Sequence, residues 1–525
     1  MSELIGLVRN MVAARQNGGS ISETCFDPSS SYLLGVSVDP SYKSCTIYRV
    51  DCAELVAGTT KIDWHRLISP HLYTVATQFT KQEELLRERL RLGGVGITKF
   101  VQHPQSGSLL FSTGAKLYAC SVSTNPLEII TPVVVSRDAV LCPQWSPCGT
   151  MASYVKEDRN IWISDLSNPT SAPLQLTHTH GMHDTYGLPE FVALEELGRT
   201  TASWWSPAID GDTAYLLYTY TDESEVPSFH ICRHDAYGLT DEYGYPKAGD
   251  QNVVVRLHCA KLGREVASGE LQVTHLDWNW SVALAQYPWI EYILRAGWKP
   301  DGSAFWVQVL DRRQQRTAVL EFAALDGIIS DLPRVLVEET SDTWINHCKW
   351  IGYVTNDKFL WPSESSGFLH LYLLTPATGA IRPITRGNWC VDDTNVVYDA
   401  EHQGLFFEAA YPSPLERQAF WVSLLHHPAD PVMLTSPGQW HDCLFSPSGH
   451  YCCCHSSSIE EEGGWWLIRL HWQEGQPSLG ERCQLSHPAP RPFVSIEFPV
   501  KPPTIFTFPP IESRHGGNSP HPSAS

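Results

Sequence analysis

Short apolar runs rich in Trp, Tyr, Val and Thr, broken by glycine and proline, set the pattern of this chain. Runs of that kind, bounded by turn residues, predict strands rather than helices, so the fold class expected is all-β. One phrase recurs through the pattern: an aromatic residue, a polar spacer with proline, then a glycine before the next apolar run. It stands as FVQHPQSG from Phe100, WSPCG from Trp145, WSPAIDG from Trp205, WKPDG from Trp298, YDAEHQG from Tyr398 and FSPSG from Phe445. The copies lie about 45 to 60 residues apart or about twice that, the period expected of propeller blades. KWIG at Trp350 divides one double interval, and a weaker unit near residue 252 is expected to divide the other.

The phrase has a mechanical reading. The aromatic packs between blades, proline stops a strand, and the glycine turn starts a hairpin. A single unit cannot bury both faces of its sheet, so neighbours must stack into a closed ring. Counting units gives an eight-bladed β-propeller, with seven blades as the alternative and unrelated β-sandwiches as the competing architecture.

Two stretches break the β pattern with helical signals. In QEELLRERLRLGG, Gln82 to Gly94, apolar leucines sit among alternating charges, and Glu83 and Arg87 have i,i+4 spacing. In FVALEELGRTTASWWSP, Phe191 to Pro207, residues Phe191, Leu194 and Leu197 recur every third position and Gly198 can close the helix. This second helix carries Glu195 and Glu196 side by side. On a helix they point about 100° apart, flanking a small cation rather than stacking. Arg199 is the only local cation in the sequence, and at i,i+4 from Glu195 it can pair with one of the two at most. A solvated helix face is the competing reading.

Composition narrows the function classes. The 525 residues carry 57 acidic and 37 basic side chains, a net charge of -20, which argues against a non-specific nucleic-acid binder. No run approaches the length of a membrane-spanning helix, and the N-terminus lacks the apolar core of a signal peptide, so a cytoplasmic protein without a membrane partner is expected. Fifteen cysteines, three of them consecutive at Cys452, Cys453 and Cys454, read as reduced thiols. HTHGMHD, with His178, His180, His183 and Asp184, has metal-ligand chemistry, but a loop in an acidic chain makes a metal site the weaker reading. CCCH at Cys452 to His455 falls where a strand should be, so its side chains alternate between faces and read as core. No cofactor and no metal are expected.

With these residues in view the chain resembles the dipeptidyl peptidase IV family of the prolyl oligopeptidase clan. FVALEELGRTTASWWSP is similar to that family's double-glutamate helix. EELLRERLRLGGVGIT, TDESEVPSFH from Thr221, YGYPKAGDQN from Tyr243, YILRAGWKPDG from Tyr292, SESSGFLHLY from Ser363, RPITRGNWCV from Arg382 and SPLERQAFWVSL from Ser413 resemble the cytosolic eight-and-nine subgroup. The likeness runs from about residue 80 to 508. It implies an eight-bladed propeller followed by an α/β-hydrolase domain, and removal of N-terminal X-Pro or X-Ala dipeptides by a serine-type peptidase. It assigns peptide N-termini as the ligand, Glu195 and Glu196 to the substrate α-ammonium, and Arg91 to the carbonyl before the cut. It also implies an arm over residues 222–246 used in homodimer contacts.

The domain reading that follows has three parts. Residues 1–79 form an N-terminal segment that can supply a partial first blade, with its completion left open, 80–500 form the propeller, and 501–525 form a junction to the hydrolase and a disordered tail. No G-x-S-x-G nucleophile elbow occurs in the 525 residues, so no catalytic residue can be named. Two functions stay open. One is the substrate-gating propeller of a peptidase truncated before its catalytic domain and inactive alone. The other is a non-catalytic propeller that binds peptides or partner proteins.

Overall fold

The computed structural model describes residues 21–72 and 94–486 apart from a few internal positions (124, 126, 233–239, 266, 326, 426–429 and 459–462), together with Glu84 and Arg87. Among the described residues strand accounts for 51% and helix for 5%, and the strands form eight sheets in a ring and one separate two-stranded hairpin. The blades span residues 22–66, 101–136, 140–175, 184–275, 290–340, 352–383, 391–433 and 440–485.

The hydrophobic pattern explains why these sheets stack. Leu216 and Leu217, Phe359 and Leu360, and Phe406 and Phe407 are neighbours in sequence, but each pair divides between two core clusters. Successive strand residues point to opposite faces, so one member packs on the blade before and the other on the blade after. Strands buried on both faces read as continuous apolar runs, not alternating ones. Each of eight clusters lies between consecutive blades, and the one joining Cys453, Leu467 and Leu485 to Phe26, Leu33 and Val50 closes the eighth blade on the first. Closure is reinforced by Lys61–Ile62, which pairs in parallel with Gln484 and Leu485 as a fifth strand of the last blade.

The recurring phrase does what its residues suggest. The indole N–H of Trp145 donates to the Val101 carbonyl at 3.0 Å, that of Trp205 to Ser153 Oγ at 2.9 Å, and that of Trp298 to the Trp204 carbonyl at 3.0 Å. Each bond reaches into the preceding blade, so the aromatic both fills and fastens the interface. Gly149 and Gly302 take φ of +74° and +72° at the turns, a region that side-chain-bearing residues adopt only under strain.

The blade count stands at eight, but two units differ from the expectation. No blade begins near residue 252. Val254–Arg264 is instead the partner of Ala214–Asp222 within the fourth blade, paired along nine positions. The long interval arises because a separate hairpin, Ser228–Cys232 with Thr240–Gly244, is inserted between those two strands. The missing blade is supplied by residues 22–66, a full four-stranded sheet. Of the expected helix over residues 82–94, the described residues are Glu84 and Arg87, which are helical, and Gly94, which is not; the rest lies outside them.

The cysteine triplet lies in a strand, with Cys453 facing the first blade and Cys452 and Cys454 facing the seventh, all three buried. Strand alternation thus places them in two cores.

Candidate functional site

The double-glutamate segment forms a short helix, α1 (Phe191–Glu195), in the fourth blade. Glu190 caps it: its Oε2 accepts from the Ala193 N–H at 2.8 Å, satisfying a donor that the first turn leaves free. Ala193 and Leu197 are buried, and Leu197 packs with Leu294 and Leu310 of the fifth blade. Gly198 ends the helix at φ +57°. Glu195 and Glu196 are exposed at that end, and among the described residues neither has an ion-pair partner.

What holds this end is a pair of arginines from beneath. Arg199 is buried; its Nε donates to the Ile293 carbonyl at 3.1 Å, its Nη1 to Thr201 O at 2.9 Å, and its Nη2 lies 3.6 Å from Glu190 Oε1. The expected i,i+4 pairing of Arg199 with Glu195 is therefore absent. Beyond Gly198 the chain no longer follows the helix, and the Arg199 N–H turns back to the Ala193 carbonyl at 2.7 Å, so the side chain descends toward the cap. Arg295 Nη1 donates to the Leu197 carbonyl at 2.9 Å, filling an acceptor orphaned at the helix C-terminus. Burial and the nearby Arg199 pull the Arg295 guanidinium down to about 10. His347 contacts the Leu197 backbone, and burial followed by Arg295 lowers its imidazole. Lys349 passes close to Gly198.

Sequence reading found the two glutamates and missed this support. Arg295 stands in YILRAGW, a stretch noted only for its likeness, and Glu190 precedes the helix where a cap would be sought. Arg91 lies outside the described residues. Thr200 and Thr201 line a cavity of about 530 Å³ whose walls include Phe100, Trp145, Trp204 and Trp298, with Arg87 and Lys99 as its cations. Glu195 and Glu196 are not part of that lining.

His178, His180 and His183 are exposed, and Asp184 is engaged by the His180 N–H at 3.1 Å and the Tyr220 hydroxyl at 3.3 Å. Among the described residues no group of three His, Cys, Asp or Glu is placed to hold a metal. No helix among them is long and apolar enough to cross a membrane.

An eight-bladed β-propeller with an anionic pair on a short helix is the class that fold and site define. The family model "Dipeptidyl peptidase IV (DPP IV) N-terminal region" matches residues 100–461, and the chain belongs to that family. Dipeptidyl peptidase 8 of Mus musculus is 28% identical over 466 residues, covering 74% of this chain and 51% of the relative, and the Homo sapiens protein matches to the same extent. A probable dipeptidyl peptidase 4 of Aspergillus flavus is 26% identical over 325 residues, covering 59% of this chain and 39% of the relative. The chain thus spans about half the length of the first two relatives. The crystal structure of Porphyromonas gingivalis dipeptidyl peptidase 4 superposes with a TM-score of 0.63 at 22% identity, covering 90% of this chain and 60% of that one, a likeness of fold.

Proposed function

We propose that this propeller gates substrates for a serine-type dipeptidyl peptidase, holding a peptide's free α-ammonium on Glu195 and Glu196. The observation that carries the reading is the pair itself: two adjacent exposed carboxylates, without an ion-pair partner among the described residues, on a helix end fixed by buried groups. An α-amino group of pKa about 8 is largely charged at neutral pH, and charge-assisted bonds to two carboxylates select it over an internal amide. Such a clamp measures distance from the N-terminus, so cleavage removes dipeptides, with Pro or Ala second as the family resemblance implies. Arg91 contacts the carbonyl before the cut. The nucleophile, base and oxyanion hole lie outside these 525 residues, and the chain alone does not hydrolyse peptides.

The setting proposed is the cytoplasm, which the free state of all fifteen cysteines supports. The hairpin within residues 222–246, with Phe229 and Ile231 exposed, is the proposed homodimer arm.

The test fuses the chain at Phe508 to the hydrolase domain of a dipeptidyl peptidase 8 and follows Ala-Pro and Gly-Pro chromogenic substrates. Glu195→Gln and Glu196→Gln should each lower kcat/KM by about 10- to 100-fold, the worth of one charge-assisted hydrogen bond, with melting unchanged. Equal cleavage by parent and both variants would make the glutamates a solvated face.

A further inference from the structure

Away from α1, a cavity of about 260 Å³ lies between the fifth and sixth blades, under the loop that leads from Thr340 to Trp350. That is smaller than the roughly 300–1,000 Å³ of drug-sized ligand sites, and it suits one long side chain. Two carboxylates line it, Glu339 from the fifth blade and Glu364 from the sixth, and none of its lining residues is Lys, Arg or His. Both carboxylates are oriented: Trp361 Nε1 donates to Glu339 Oε2 at 3.2 Å, and Asn346 Nδ2 to Glu364 Oε2 at 2.8 Å. Each keeps acceptor capacity beyond these bonds. Burial first, and Glu364 after it, raises the Glu339 carboxyl above its usual range, so the cavity disfavours its own negative charge.

An independent observation points the same way. Gln308, only 3% exposed, also lines the cavity, and its Oε1 has no hydrogen-bond partner. Its amide nitrogen is turned to Thr317 Oγ1 at 3.5 Å, which leaves the carbonyl as the free end. A buried acceptor without a donor costs about 1–3 kcal/mol, which a ligand carrying N–H groups would recover.

We propose that this cavity is a binding site for the guanidinium of an arginine side chain, held by Glu339, Glu364 and Gln308 and flanked by the indoles of Trp344 and Trp361. A guanidinium offers five donors in one plane, is weakly hydrated and stacks on aromatic rings, which matches acceptors at the cavity wall beside two tryptophans. An ammonium is compact and more strongly hydrated, and fits that lining less well. The half-exposed Trp344 stands where the aliphatic stem would leave.

The experiment is calorimetric titration of the 525-residue chain with Nα-acetyl-arginine amide, against Nα-acetyl-citrulline amide as the neutral isostere. Acetylation removes the α-ammonium, so the Glu195–Glu196 clamp makes no contribution and the two readings fail separately. The arginine probe should bind at least about tenfold more tightly than the citrulline probe. Glu364→Gln, on the exposed rim, and Glu339→Gln should each abolish that preference, while Glu195→Gln should keep it; a melting curve on each variant confirms the fold. Spermidine should compete poorly. Equal binding of the two acetylated probes, or an undiminished preference in Glu364→Gln, would mean that the cavity holds only water and would overturn the assignment. Spermidine binding as tightly as the arginine probe would overturn the choice of guanidinium.

Discussion

Arg199→Met tests whether the helix that presents the glutamates is held by a buried ion pair. Arg199 is 3% exposed and Glu190 7% exposed, so both charges are largely removed from water. Arg199 gives two hydrogen bonds to the carbonyls of Ile293 and Thr201 and faces Glu190 at 3.6 Å. Methionine keeps much of the volume and loses all three contacts. Glu190, which also caps Ala193, would then lose the guanidinium facing its buried charge. Stranding one member of a buried pair costs about 3–5 kcal/mol. The reverse change, Glu190→Gln, should cost less, about 1–2 kcal/mol, because Arg199 keeps its two carbonyls and glutamine can still cap Ala193. The double variant removes both charges, so it should be more stable than the sum of the singles by at least about 1 kcal/mol. Urea unfolding followed by far-ultraviolet circular dichroism and tryptophan fluorescence reads all four proteins. A cost below about 1 kcal/mol for Arg199→Met, or costs additive to within about 0.5 kcal/mol, would refute the reasoning.

Three more outcomes follow from the ring. Asp165 accepts from Arg264 at 2.6 and 2.8 Å across the interface between the third and fourth blades, which holds its carboxyl far below the usual range. A depressed folded pKa contributes stability that is full above the unfolded value of about 3.9 and is lost as pH falls below it, by about 2 kcal/mol here. Calorimetric melting from pH 7 to pH 2 should show that loss beginning near pH 4, and Asp165→Asn should remove it; an unchanged acid profile would count against the pair. Trp298→Phe keeps an aromatic ring but loses the five-membered ring whose N–H donates to Trp204 O, and should cost about 1–3 kcal/mol in urea unfolding. Deleting residues 1–72 removes the first blade and the parallel strand Lys61–Ile62, and should give a chain that aggregates on gel filtration; a monomer with native melting would show that closure is dispensable.

How much of the ring could be read from the sequence depended on one turn. In the copies at Trp145, Trp298 and Phe445 the residue with positive φ is glycine, so the copies can be recognised by eye. The first blade carries the same turn as FDPSSSY, from Phe26, but Ser30 stands in the glycine place at φ +58°. Its backbone behaves as the others do: the Ser30 N–H donates to Asp27 O at 2.8 Å, as that of Gly449 donates to Ser446 O at 2.9 Å. A serine in that conformation is strained, and the structure supplies an offsetting contact, because Ser30 Oγ accepts from the Ser448 N–H of the eighth blade at 3.1 Å. The residue that hid the first blade from the pattern is thus one that ties it to the last.

The opposite error, a blade expected near residue 252, came from treating chain length as blade length. The arm hairpin lengthens the fourth unit while Ala214 still meets Leu262 and Asp222 still meets Val254. At α1 the two glutamates were legible because adjacent, unneutralised carboxylates are visible in one dimension. Their support was not, since Arg295 and Leu197 are far apart in sequence and meet only when the fifth blade packs on the fourth. A periodic fold therefore shows its repeat in the sequence and hides its sites, because a site on a ring is assembled from loops of different blades. The Glu339–Glu364–Gln308 cavity is of the same kind: three separate stretches, with a free acceptor that becomes meaningful only when the fifth and sixth blades stand side by side.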